Sequence, residues 1–172
     1  DEMAMDVSFA LDNFERQAEL ERATAALRES NSRLSAVFHA SPIGISVSRA
    51  AEGRILDIND AALQQFGYRR EQVIGRTVAE LGVYANPAQR VALVERLRSD
   101  AKVDQFPVRM RHSSGEARVI EISARLVELQ GEQCLIAMMV DITERRRNVE
   151  ALRQSDMRLQ AIFSQAPVGI AT

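Results

Sequence analysis

Apolar residues recur with two different periods along this chain. From residue 3 to 38 the spacing is helical: Met3, Val7, Ala10, Leu11 and Phe14 form one stripe, then Leu20, Leu27 and Leu34 return every seven residues. Ala23, Thr24, Ser30 and Asn31 hold the complementary positions, so the heptad is thin. A weak two-stranded coiled coil and a single helix lying on its own domain both fit. Pro42 and Gly44 end the helix.

The period then falls to two. Ile43, Ile45 and Val47 alternate as a half-buried strand should, AEGR makes a turn, and ILDI (55–58) is the returning strand. Asn59 caps a short helix through Phe66 that Gly67 stops, and REQVIG is another short helical turn. NPAQRVALVERLRSD has Asn86 as cap, Pro87 in the first helical position and Gln89 placed for a capping box, with Leu93, Val94 and Leu97 inward. Phe106, Val108 and Met110 alternate next, and HSSGE turns the chain. Ile120, Ile122, Ala124 and Leu126 then face inward while Glu121, Ser123 and Arg125 face out. Pro107 lacks an N–H donor and favours an edge strand there. Cys134–Val140 shows no alternation, which predicts a strand covered on both faces, by helices on one side and by a linker helix or partner subunit on the other.

Only Asp-Ile-Thr separates that apolar run from the charged ERRR stretch. Asp141 is placed to cap the following helix, with Glu144 three residues later to complete a capping box. A capped start fixes the direction in which a helix leaves a domain. The stretch 26–46 also reappears at 151–171: Leu27, Arg33, Leu34, Phe38, Pro42 and Gly44 match Leu152, Arg158, Leu159, Phe163, Pro167 and Gly169. That offset is domain-sized, so one full unit and the start of a second are expected. The missing initial Met and the end in mid-pattern suggest a piece of a longer protein.

Composition narrows the classes. Over 172 residues, 46% are hydrophobic, 27% charged, and the net charge is -2, which gives no electrostatic case for nucleic acid or an anionic membrane. The longest apolar run falls far short of the roughly 20 residues that span a bilayer. A single cysteine makes no internal disulfide and fits a reducing cytosol. No histidine–cysteine pair, glycine-rich phosphate loop or metal-ligand cluster points to catalysis. Asp57 and Glu121 are read as solvated strand residues.

IGISV, ILDINDAALQQFGYRREQVIGRT, the long helix, the hairpin around SSGE and the terminal DIT, in this order, resemble the PAS family of sensor domains. The resemblance implies an α+β fold: a five-stranded antiparallel sheet with short helices on one face, flanked by N- and C-terminal linker helices. The Phe106 strand would be an edge and the Cys134 strand central. The expected layout is a linker helix at 1–29, resembling the closing helix of a GAF domain, a PAS sensor domain at 30–143, a linker helix at 144–160, and a second PAS repeat starting at 161–172.

Family members sense small molecules, light, oxygen or redox state, or dimerise, and report to kinases, cyclic-di-GMP enzymes such as diguanylate cyclases, or transcription regulators. Haem-bearing members carry a histidine on the long helix, and Pro87–Ser99 has none; His39 and His112 lie elsewhere. Flavin photoreceptors need a cysteine in an NCRFLQ-type motif, where this chain has NDAALQQ. The expectation is therefore a non-catalytic cytoplasmic module of a bacterial signalling protein with no haem or flavin and an unknown small-molecule ligand; a flavin or haem receptor is the alternative. Phe66, Val94, Met110, Ile122 and Met138 are the expected cavity lining, unless they simply fill the core. Asp141, Thr143 and Glu144 are the expected relay. Expected partners are a second copy, through the linker helices and outer sheet face, and adjacent sensor and output domains, with no nucleic acid and no membrane.

Overall fold

The computed structural model describes residues 2–165, and the chain divides between Ser41 and Pro42 into two units. The first is a single helix, α1 (Glu2–Ala40), which runs unbroken past residue 29 and leaves Leu20, Leu27 and Leu34 exposed. No helix among the described residues is long and apolar enough to cross a membrane.

The second unit begins with β1 (Gly44–Arg49) and β2 (Ile55–Ile58). Three helices follow: α2 (Asp60–Phe66), α3 (Arg70–Val73) and α4 (Pro87–Asp100). Then come β3 (Lys102–Arg111), β4 (Ala117–Leu129), β5 (Glu132–Asp141) and α5 (Thr143–Gln165). The turn expected at Pro167 and Gly169, and with it the start of a second repeat, lies outside the described residues.

All strand pairings are antiparallel, in the order β2-β1-β5-β4-β3. The Pro107 strand is therefore an edge, where a missing N–H leaves no ladder bond unmade, and the Cys134 strand is central. The core forms where the inner sheet face meets the helices: Val108, Ile120, Ile122 and Ala124 pack with Ala62, Phe66, Leu93 and Leu97. In β3 the pairing skips a residue between Val103 and Phe106, and Gln105 turns left-handed there (φ 51), so the two alternating stretches keep the same buried face.

Caps set the helix boundaries. Asn59 Oδ1 accepts from the Ala62 amide at 3.0 Å, and Gly67 ends α2 with φ 72, a conformation that costs glycine little. Asn86 caps α4 through the Ala88 amide at 3.0 Å. Gln89 does not close the expected capping box. Its Oε1 accepts from the Arg109 amide at 2.9 Å and ties α4 to the exposed edge of β3 instead.

Within the chain, the two faces of β5 are covered unequally, and the outer face is buried only at its Cys134 end. Met139 and Ala137 lie opposite Ile122 and Ala124 and face the core, whereas Met138 and Val140 on the outer face are 40% and 41% exposed. Met138 is therefore not a core or cavity residue: pairing with the inward-facing β4 residues sets the parity of β5, and it selects Met139.

Candidate functional site

The junction between β5 and α5 is closed by a compact set of hydrogen bonds. Asp141 Oδ1 accepts from the Thr143 amide at 2.9 Å and from its hydroxyl. Thr143 Oγ1 in turn accepts from the Val119 amide at 2.9 Å, and the Ile142 amide donates to the Val119 carbonyl at 2.9 Å. Both backbone groups of Val119, on β4, thus hold the joint, while the Ile142 side chain is buried. Glu144 has no part in it. The helix starts at Thr143, so Glu144 is its second residue, one short of the position from which a capping box closes.

Arg118 connects this joint to α2. Its Nη1 donates to the Gln65 carbonyl at 2.9 Å and stands 3.6 Å from Asp141 Oδ2, while Nη2 lies 3.1 Å from Glu116. The next two carbonyls of α2's C-terminal end are taken by the same hairpin: Ser113 donates its amide to Phe66 at 2.8 Å and its hydroxyl to Gly67 at 2.7 Å. Phe66 reaches into the core from this end, so a helix that covers the inner sheet face is fastened to the residues that launch α5.

Phe66, Met110 and Ile122 come together in that core, all buried. Val94 is apart from them and half-buried, on the wall of a cleft of about 460 Å³ between α4 and the far ends of β4 and β5. Met138 is on the opposite face. A larger open groove of about 1070 Å³ runs between the first turns of α5 and the outer face of β3 and β4. Sequence reasoning missed Arg118 and the cleft, although Leu126, one of the cleft's walls, already stood in the inward-facing alternation.

The remaining polar candidates have structural partners. Asp57 bonds Arg70 at 2.7 Å, and His112 Nδ1 lies 2.8 Å from Ser114 Oγ. Cys134 is buried, and among the described residues no cluster of histidine, cysteine, aspartate or glutamate is arranged to hold a metal ion.

The fold agrees with the comparisons to known proteins. The family model described as PAS domain matches residues 42–144, more than half of the chain, and the chain belongs to that family. It is 30% identical over 144 residues to sensor protein TdiS of Thauera aromatica, covering 78% of this chain and 26% of that protein. It is 24% identical to the methyl sulfide methyltransferase-associated sensor of Methanosarcina acetivorans, covering 82% of this chain and 14% of that one. The chain thus spans about a quarter or less of the length of either sensor. Among solved structures, the PAS domain of an HTR-like protein from Haloarcula marismortui superposes with a TM-score of 0.62 at 26% identity, covering 71% of this chain and 99% of that one. The domain is a sensor module of the PAS type.

Proposed function

We propose that this domain works without catalysis of its own as a cytoplasmic relay in a multidomain bacterial signalling protein, passing a ligand-dependent or conformational change through Asp141 and Thr143 into α5. The observation that carries this reading is the double anchorage of the joint, where Thr143 bonds Asp141 on β5 and Val119 on β4. A helix start bonded to two adjacent strands follows a shift of either one. The open groove beside α5 leaves room for the helix to tilt. The output we favour is a cyclic-di-GMP enzyme or histidine kinase; the relatives support only the sensor part of this reading.

The domain works as a homodimer in this reading. Its surfaces are the seven-residue leucine spacing of α1, the apolar positions Val149, Leu152, Leu159 and Phe163 exposed on α5, and the outer face of β5 around Met138 and Val140. It works without haem or flavin, and purified protein is expected to be colourless. The deciding experiment introduces Asp141→Ala into the full-length protein. Output that no longer answers the signal, with the core still folded, supports the relay; normal signal-dependent output rules it out.

A further inference from the structure

The inner sheet face is not covered along its whole length. Leu126 and Leu135 pair across the β4–β5 ladder in the same inward register as Ile122 with Met139 and Ala124 with Ala137. Those four are buried, yet Leu126 and Leu135 are only half-buried. The cause is where α4 stops. Ala101 takes a left-handed turn (φ 56), and its carbonyl accepts from the Leu126 amide at 3.0 Å, so the chain drops into β3 before α4 can cover the last pair. Val94, facing them from α4, is half-buried as well. With Leu97, these three side chains form most of the apolar wall of the cleft of about 460 Å³, a size within the roughly 300–1,000 Å³ usual for small-molecule sites.

Its rim carries charge of a defined kind. Arg49 and Glu132 line it and are bonded to one another at 2.9 Å, with Glu52 3.8 Å from Arg49 on its other side. Arg98 lines it too, and has no hydrogen bond or ion pair among the described residues. One guanidinium is therefore uncompensated beside an apolar wall. A neutral hydrocarbon would leave it unused, and a dianion would meet Glu132.

We infer that this cleft binds a single-headed amphipathic anion, a medium-chain carboxylate, whose chain completes the core against Val94, Leu126 and Leu135 while Arg98 takes the headgroup. The inference rests on the sensor reading and gives that sensor its ligand class. Occupancy would change the packing of α4 against β4 and β5, the two strands that hold the joint.

Calorimetric titration of the chain with decanoate, decanol and acetate tests it. Decanoate is expected to bind, decanol about tenfold more weakly, and acetate not measurably, because chain and charge are both needed. Arg98→Gln, at an exposed position, should bring decanoate down to the level of decanol and leave decanol unchanged. Val94→Phe, which fills the cleft, should weaken both. Equal affinity for decanoate and decanol overturns the headgroup assignment, and decanoate binding that survives both substitutions overturns the site. Because occupancy is read directly, a failed relay in the Asp141→Ala protein would leave this result standing, and a failed titration would leave that one standing.

Discussion

Arg118 and Asp141 stand 3.6 Å apart, guanidinium to carboxylate, where β4 and β5 run side by side, and the same guanidinium nitrogen bonds the Gln65 carbonyl at 2.9 Å. One side chain therefore touches both the helix over the core and the residue that launches α5. Arg118→Gln is expected to destabilise the domain by about 1–2 kcal/mol, the usual scale for losing charged hydrogen bonds. Amide hydrogen exchange should speed up both at the end of α2 and at the start of α5. Faster exchange at only one of those places would show that Arg118 does not couple them.

Asn59 is fully buried, and its side chain accepts from the Ile45 amide at 2.8 Å and the Ala62 amide at 3.0 Å and donates to the Ile43 carbonyl at 2.8 Å. Asn59→Ala removes these buried hydrogen bonds together and should cost about 3 kcal/mol in urea unfolding.

Two adjacent methionines should respond in opposite ways. Met139→Glu places a carboxylate in the core and should destabilise by more than about 4 kcal/mol. Met138→Glu, on the exposed outer face, should leave stability within about 0.5 kcal/mol. If the outer face is the dimer surface, Met138→Glu also halves the mass seen in light scattering at working concentrations.

Burial pushes the Tyr84 phenol up to about 12, with Arg90 drawing it partly back. A folded-state value above the ordinary 10 means that the unfolded chain releases this proton first. Stability is fully present below about pH 10 and falls between about 10 and 12, at up to about 1.4 kcal/mol per pH unit. Tyr84→Phe should show a shallower decline across that window when urea midpoints are compared. Identical slopes in the two proteins would contradict the assignment.

Local signals were legible in the sequence and long-range ones were not. The alternation in β3 and β4 marks buried faces because the two sides of those strands meet different surroundings, and Asn59, Asn86 and Gly67 act within a few residues of themselves. The run from Cys134 to Val140 has no alternation to read, so only its pairing with β4 separates Met138 from Met139. Gln89 sits where a capping box needs it, but a β3 amide 20 residues away takes its side chain. Arg118 bonds a carbonyl 53 residues earlier, and no spacing rule reaches that far. The cleft exists because α4 stops short of the sheet's end, which follows from a backbone turn at Ala101, a residue that seldom adopts a left-handed conformation.

The central claim is that Asp141 and Thr143 make a stiff joint, and a distance distribution across it is the most direct test. Spin labels on cysteines introduced at Glu128, exposed on β4, and Arg153, exposed on α5, would report it by pulsed electron resonance, with the buried Cys134 left unlabelled. The distribution should be narrow in the otherwise unaltered protein and clearly broader in Asp141→Ala and Thr143→Val. An equally narrow distribution in all three would contradict the account.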